Sequence, residues 1–487
     1  MSKSIIKATL AGRLVVPIAN MPERVRDAVL EQLSWDNPEY VAARQRGLST
    51  ANIEPFILGM RTVGKYHYLS REFYGEFEAI AKRYGYVVDI RDNRIFDEKA
   101  NPIPHKIKLW KSQIPAARRM LSNKVGHQGV LVAPCGGGKT EVLLYVICEL
   151  GQKTLVLCHT NDLLNQWKQR IRDLVGLEPG IIQGNKVEVK QITLGSVMTL
   201  AGKKLDDELL KEFGCVVLDE AHHCPATSFK DVMDKFHSYF RFGATATPGR
   251  RDELEGLLFA ICGPIIADIP REALVSEGKL VIAEAEPVET TFTYSYRGQR
   301  TWPYMIKALI NNKRRNELIV DRIIREHRNG KHTQLVLSKQ IDHLLLLHAL
   351  LKAKAPKIIS SLLIAGGNKK DRSGRIIRSF KMTKAEREAA IQAARVGSVS
   401  VLFGTQLADE GLDIPRLDRL HLTYPTRAEA KIEQQVGRIQ RAVKGKKDAL
   451  VVDYVDAVGL LRDQYLDRKS VYREMGLTIR PRTNGTR

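Results

Sequence analysis

The chain is short of cysteine pairs, of acids and of long apolar runs, and each shortage excludes something. Its six cysteines (Cys135, Cys148, Cys158, Cys215, Cys224 and Cys262) contain no C-x-x-C pair. That rules out a disulfide framework, and the scatter reads as small buried hydrophobes in a reducing compartment. His222, His223 and Cys224 stand together but lack the second half that a zinc site needs. No apolar run approaches the ~20 residues of a membrane span. The opening MSKSIIKATLAG has no apolar core of signal-peptide length. There is no short-period repeat and no low-complexity tract. With 44% hydrophobic and 27% charged residues, neither a fibre nor wholesale disorder fits. The acids are too few for the bases: 55 Asp and Glu face 77 Lys and Arg, a net charge of +22 over 487 residues. A surplus of that size favours a polyanion, nucleic acid before a membrane surface.

The excess is unevenly spread. Residues 1–100 hold 15 bases and 13 acids, so nearly all of it lies beyond them. This first part has its own character. It is rich in aromatics (Trp35, Tyr40, Phe56, Tyr66, Tyr68, Phe73, Tyr74, Tyr84), which form a small core or grip nucleic acid together with Arg44 and Arg46. A turn at Asn37-Pro38 leads into a short basic helix, REFYGEFEAIAKRYGY has helical periodicity, and VVDIRDNRI reads as strand, turn, strand. EKANPIPHK, with two prolines, predicts a linker. From about residue 105 short β-branched runs alternate with amphipathic helices: GVLVAP, KTLVLCHT, ITLGSV, CVVLDE and YFRFGATAT, then TQLVLS, IISSLLIAGG, VSVLFGT, RLHLTYP and ALVVDYVD. That rhythm is the mark of βαβ units and parallel sheets. The predicted organisation is a small α+β module over 1–104, α/β domains over 105–285 and 286–462, and a basic tail over 463–487 whose end frays.

The sharpest motif is Ala133-Pro134-Cys135-Gly136-Gly137-Gly138-Lys139-Thr140, which follows a strand and opens a helix. Glycines let backbone N–H groups turn inward around a phosphate, and the helix N-terminus favours the anion. Lys139 would reach the β- and γ-phosphates of ATP and Thr140 would ligate Mg²⁺. The first position is Ala where the pattern has Gly. A second Mg²⁺ carboxylate is then needed. Asp219-Glu220 ends the apolar strand CVVL, at the strand edge where α/β proteins collect ligands. Asp219 would hold the metal, and Glu220 would orient or deprotonate the attacking water.

With Asp219-Glu220-Ala221-His222 the chain resembles the superfamily 2 helicases and translocases of the DExH type, over roughly residues 105–460. The resemblance implies two tandem RecA-like parallel-sheet domains. It further implies that Gln113 recognises adenine, and that His159 and Thr160 in CHTNDLLNQW touch a nucleic-acid backbone, as do Thr193 and Ser196. His222, Thr245 and Thr247 would couple hydrolysis to domain movement. In the second domain it implies strand contacts from Ser338, Lys339 and Thr405, and ATP contacts from Gly411 and Asp413. Gln434, Arg438 and Arg441 match Q-x-x-G-R-x-x-R. A guanidinium from this helix would stabilise charge on the γ-phosphoryl oxygens, an effect worth ~10³–10⁵ in rate. Lying three apart, Arg438 and Arg441 are expected to share one helix face.

Within the superfamily, GATATPGRRD and CGPIIADIPREALVSEGKL resemble the XPB, RadD and UvsW branch and phage branch-migration helicases. XPB-like enzymes have Arg-Glu-Asp where this chain has Arg250-Arg251-Asp252. Two basic runs, 311–332 and 368–387, are either solvated helix faces or a track for phosphates. The expected function is an ATP-dependent DNA helicase or translocase on duplex, forked or branched DNA, single strands included, in recombination, repair or replication. The expected place is the cytoplasm of a bacterial or phage-infected cell, with no membrane partner. The alternatives are an RNA helicase with the same motor, the motor subunit of a restriction system, and a clamp that binds ATP without turnover.

Overall fold

Alternation decides the first sheet. In Ile5–Leu10 (β1) and Arg13–Pro17 (β2) every second residue is buried. Ser34–Asp36 (β3) and Phe56–Leu58 (β4) pair separately as a hairpin. Met60–Val63 (β5), Tyr66–Ser70 (β6) and Val87–Asp92 (β7) complete a sheet ordered β5–β6–β2–β1–β7, antiparallel except for β1 with β7. Its inner positions (Ile6, Ala8, Leu14, Val16, Leu69) pack on Val25 and Val29 of helix Glu23–Gln32 and on Phe77 and Ile80 of helix Tyr74–Arg83. The predicted basic helix is Pro38–Gln45.

The computed structural model describes residues 4–45, 49–51, 53–122, 127–202, 205–220, 226–246, 261–364, 367–370, 376–380, 382–405, 414–426 and 429–484. These fall into two units, residues 1–134 with 138–270 and residues 135–137 with 271–487. The aromatic module therefore shares a unit with the first α/β domain. The stretch read as a linker does not run free. Prolines deny it regular structure, but its remaining amides find carbonyls at helix ends: Ile103 N–H donates to Cys148 O (2.8 Å) and Lys106 N–H to Leu174 O (2.7 Å). A charge cluster holds the module to the domain. Buried Arg241 donates to Glu72 (2.7 Å) and to the carbonyls of Gly12 (3.2 Å), Met233 (2.8 Å) and Phe236 (3.2 Å). Arg71 donates to the carbonyls of Ser238 and Tyr239.

The domain's own strands are Gln128–Val132 (β8), Thr154–Cys158 (β9), Gly180–Gln183 (β10), Lys186–Glu188 (β11), Ile192–Ser196 (β12), Cys215–Leu218 (β13), Phe240–Thr245 (β14) and Ile265–Asp268 (β15). Their order is β11–β10–β12–β9–β13–β14–β8–β15, and only β10–β11 is antiparallel. β9 and β13 are buried throughout, so they read as continuous apolar runs.

The second unit repeats the plan. Ala283–Glu289 (β16), Thr333–Ser338 (β17), Ser360–Leu363 (β18), Gly367–Lys370 (β19), Ile376–Phe380 (β20), Val401–Thr405 (β21), Leu417–Leu422 (β22), Ala449–Val455 (β23), Thr478–Ile479 (β24) and Thr483–Asn484 (β25) are its strands. The sheet runs β18–β21–β17–β22–β23–β16–β24, with β25 also on β16, and is parallel throughout. β19 and β20 form a separate hairpin. The fold is thus α/β, with two tandem RecA-like domains.

Two expectations change here. The basic tail does not fray over its described length. Helix Gly459–Glu474 buries Tyr465 and Tyr472, and Arg468 grips Asp453 with two bonds (2.8 and 2.7 Å). Arg480 pairs with Glu284 and Glu286, and Arg482 with Glu289, so the tail's charge is matched by acids on β16. The run 311–332 is only partly a solvated face. Within helix Lys313–Asn329, Arg315 is buried against Asp456 (2.7 Å) and Arg322 against Glu286 (2.6 Å). The run 368–387 holds the hairpin strands β19 and β20 before helix Lys384–Val396 begins, so it is no single helix face.

Candidate active site

Because β8, β13 and β14 of the first unit are parallel, their C-terminal ends share one edge, and the Gly-rich loop and the acid pair both lie there. β8 runs into the Gly-rich loop, with Gly136 (φ +82°) and Gly138 (φ +76°) in the left-handed region that glycine alone enters freely. Helix Lys139–Leu150 follows, with Lys139 buried and Thr140 half-buried in its first turn. Gln113 opens helix Gln113–Leu121 and is buried against this loop. A Cβ on Gly138 would stand 2.2 Å from Gln113 Nε2. Gln113 Oε1 accepts from Trp110 N–H (2.9 Å), which fixes the amide's orientation.

β13 delivers the acids. Asp219 is 2% exposed; one oxygen accepts from the Trp167 indole N–H (2.8 Å), the other from Glu220 N–H (2.9 Å). Glu220 has φ +52°, a strained conformation for an L-residue and one that persists where surroundings impose it. Its carboxylate lies 3.3 Å from Lys139 Nζ. Burial, then the neighbouring Glu220 charge, pushes the Asp219 carboxyl up to about 6, while Lys139 and Trp167 oppose the shift. Two carboxylates thus share one ammonium. A glycine cradle, a helix N-terminus, a lysine, a hydroxyl and an oxygen-rich acid pair form a donor set that fits a nucleotide phosphate with a hard divalent cation.

β14 closes the edge beside this loop. Thr245 is buried at its end, and its carbonyl accepts from Ala133 N–H (3.0 Å). His222, Thr247, Gly411 and Asp413, with Arg250-Arg251-Asp252, lie outside the described residues. His159 and Thr160 follow β9 and are half-buried; Thr160 caps helix Asn161–Leu174 by accepting from Leu163 N–H (3.2 Å). Ser196 ends β12 beside Cys158. Thr193 departs from expectation. It is fully buried toward the other end of β12, and its hydroxyl closes a turn with Lys190 (3.0 Å), so it is no surface contact.

In the second unit Ser338 and Thr405 stand side by side at the ends of β17 and β21. Ser338 is fully buried and shared between His343 Nδ1 (3.1 Å) and Gln340 N–H (3.2 Å), a structural duty rather than a strand contact. Thr405 is buried too, its hydroxyl without a partner among the described residues. Lys339 is exposed, with Nζ 5.6 Å from the centre of the Tyr424 ring. Helix Glu429–Ile439 carries half-buried Gln434 and, one turn on, buried Arg438. Arg441 lies beyond the helix, so the two arginines do not share its face. Its backbone instead bridges antiparallel to Leu280, and Lys446 Nζ donates to its carbonyl (2.8 Å). Burial lowers the Lys446 ammonium to about 7.

Sequence reading missed Trp167 and Lys446. Trp167 ends a stretch singled out for other reasons; a buried indole needs an acceptor, and that need is its only signal. Nothing in the sequence marks Lys446.

Comparison with known proteins agrees with these domains. Residues 106–250 match the family described as Type III restriction enzyme, res subunit, and residues 315–443 match the Helicase conserved C-terminal domain; together they span more than half of the chain. D10 of Escherichia phage T5, whose name is that of a helicase, is 28% identical over 70% of this chain and 70% of its own length. L396 of Acanthamoeba polyphaga mimivirus, whose name is that of an ATP-dependent RNA helicase, is 28% identical over 78% of this chain and 71% of its own. The DNA 3'-5' translocase XPB2 of Sulfurisphaera tokodaii is 27% identical over 76% of this chain and 86% of its own. With both domains matched and relatives of this kind, the chain belongs to the superfamily 2 helicases, in the group that holds the XPB-type and phage enzymes.

Proposed function

We propose that this helicase is an ATP-dependent motor on DNA that translocates along, unwinds or branch-migrates duplex, forked or branched substrates. The observation that carries the reading is the meeting of Lys139, Asp219 and Glu220 at one strand edge, beside a loop that would cradle phosphates. In this reading Lys139 pairs with the β- and γ-phosphates, and Thr140 and Asp219 hold Mg²⁺. Glu220 takes the proton of the attacking water. Its contact with Lys139 is the resting arrangement, which a nucleotide replaces. Gln113 reads the adenine. Gln434, Arg438 and Arg441 act on the γ-phosphate of ATP, and Gly411 and Asp413 contact the nucleotide. Thr245, Thr247 and His222 link hydrolysis to movement, and His159, Thr160, Ser196 and Lys339 meet the nucleic-acid backbone. Mg²⁺, when bound, neutralises phosphate charge and orients the γ-phosphoryl group.

The choice of DNA rests on the translocase relative. The mimivirus relative supports RNA as a second reading, and the restriction-subunit family supports a motor that works beside a nuclease. ATP hydrolysis measured in parallel with no nucleic acid, single-stranded DNA, duplex DNA, a four-way junction and matched RNA separates them. Strongest stimulation by duplex or junction is expected. Stimulation by RNA alone would overturn the DNA assignment and keep the motor.

A further inference from the structure

The helices of the N-terminal module pack on one face of its sheet. Strand register fixes what its other face carries. Arg61 on β5 stands opposite Tyr68 on β6, Tyr68 opposite Val15 on β2, Val15 opposite Thr9 on β1, and Thr9 opposite Arg91 on β7. Directly opposed residues share a face, so these five form one row across the whole sheet, about 19 Å at ~4.8 Å per strand. Two residues along lie Val63 and Tyr66, opposed to each other, and Lys7. Tyr66 is 45% exposed and Val63 63%. The rings of Tyr66 and Tyr68 are 6.4 Å apart at 65°.

Three features of this face stand out. First, the Tyr66 ring is exposed and the Tyr68 ring half-buried beside it, although the same module buries Phe73 and Phe77 in its core. Second, Lys7, Arg61 and Arg91 are exposed and make no ion pair among the described residues. Asp89, opposite Lys7, is the one acid among the outward positions of the five strands. The module's near-neutral total of 15 bases and 13 acids conceals this one-sided face. Third, the module docks through one end of the sheet, with Gly12 and Glu72 against Arg241 and with Arg71 against the carbonyls of Ser238 and Tyr239. Arg13, the outward residue two before Val15 on β2, belongs to this docked end: it pairs with Asp234 (3.2 Å), and its guanidinium lies 6.0 Å from the centre of the Tyr68 ring. The rows beyond it are fixed to the body that carries Lys139 and Glu220.

We propose that this face is a binding platform for single-stranded nucleic acid. Bases stack on Tyr66 and Tyr68 while Lys7, Arg61 and Arg91 meet the phosphates. Charge complementarity selects a polyanion, and exposed rings select one with free base faces, which an intact duplex keeps inside its stack. The inference rests on the reading of the chain as a nucleic-acid motor and adds where a separated strand is held.

The test uses the full chain and a fluorescently labelled oligo-dT, with a blunt duplex of equal length as control. The readouts are anisotropy without nucleotide and, separately, ATP hydrolysis at saturating DNA. Tyr66→Ala with Tyr68→Ala weakens oligo-dT binding by about 5- to 150-fold per stacked base lost. Duplex affinity and hydrolysis stay at wild-type level. Tyr66→Phe with Tyr68→Phe, which keeps both ring faces, retains binding. Arg61→Ala flattens the dependence of log Kd on log salt by ~0.7. Unchanged oligo-dT affinity, equal loss on duplex, or equal loss in the Phe variant overturns the platform and leaves the motor reading standing. A wild-type chain that binds neither nucleic acid and hydrolyses no ATP overturns both.

Discussion

Removing the Glu72 carboxylate is predicted to loosen the N-terminal module from the motor domain. Glu72 is fully buried, accepts from Arg241 at 2.7 Å and lies 3.6 Å from Arg71, whose side chain is equally buried. In Glu72→Ala two guanidiniums are left without the carboxylate between them, and the nearest remaining acid, Asp234, is 3.8 Å from Arg241. Breaking a buried pair in this way costs ~3–5 kcal/mol, because a charge stays behind without compensation. At ~2–4 °C per kcal/mol for a unit of this size class, the unfolding transition falls by roughly 6–20 °C. Differential scanning calorimetry of the full chain reads it. Glu72→Gln, which keeps an acceptor for Arg241, falls less. Glu72→Leu with Arg241→Met recovers only part of the loss, since Arg241 also serves the carbonyls of Gly12, Met233 and Phe236, which the methionine leaves bare. A Glu72→Ala chain melting within ~2 °C of wild type, under 1 kcal/mol by the same conversion, would refute the argument that this cluster joins module to motor.

Three further outcomes are expected. Trp167→Phe removes the donor to a buried Asp219 oxygen; at ~1.5–3 kcal/mol for a hydrogen bond to a charged group, half-maximal ATPase activity needs about 10- to 150-fold more Mg²⁺, and an unchanged Mg²⁺ requirement would contradict the metal role of Asp219. Arg441→Ala slows turnover with little loss of ATP affinity, whereas a large affinity loss would make Arg441 a ground-state binder. His343 and His421 are buried, each between two polar partners, and burial lowers both to about 3. Unfolded histidines bind protons below ~6.5, so the unfolded state holds more protons between there and 3. The second unit therefore keeps its full stability above pH ~6.5 and loses it as pH falls toward 3; a melting temperature flat across that window would count against two neutral buried histidines.

The alternation of apolar runs and helices made the two parallel sheets legible, because strands such as β9 and β13 are buried on both faces and hold little else. Short or polar strands were not. The β10–β11 hairpin turns at Gly184 (φ +56°) in the stretch GIIQGNKVE, and β19–β20 hides in a run of lysines and arginines. The loop around Lys139 and the Asp219-Glu220 pair were readable because phosphate chemistry constrains consecutive residues. What depends on distant partners was not readable. Thr193 and Ser338 match a pattern in sequence but are spent on local hydrogen bonds, and Arg441 falls past the helix that its spacing suggests. Charge was legible in total and misleading in place: Arg315, Arg322 and Arg468 add to the basic count yet are neutralised in the interior.

The central claim is that Glu220 activates water at the site that Lys139 and Asp219 build. Steady-state ATP hydrolysis by Glu220→Gln with saturating duplex DNA tests it most directly, beside ATP binding by the same protein. The account predicts hydrolysis reduced by ~10²–10⁴, the usual contribution of a positioned base, with ATP still bound. Hydrolysis at the wild-type rate would contradict it.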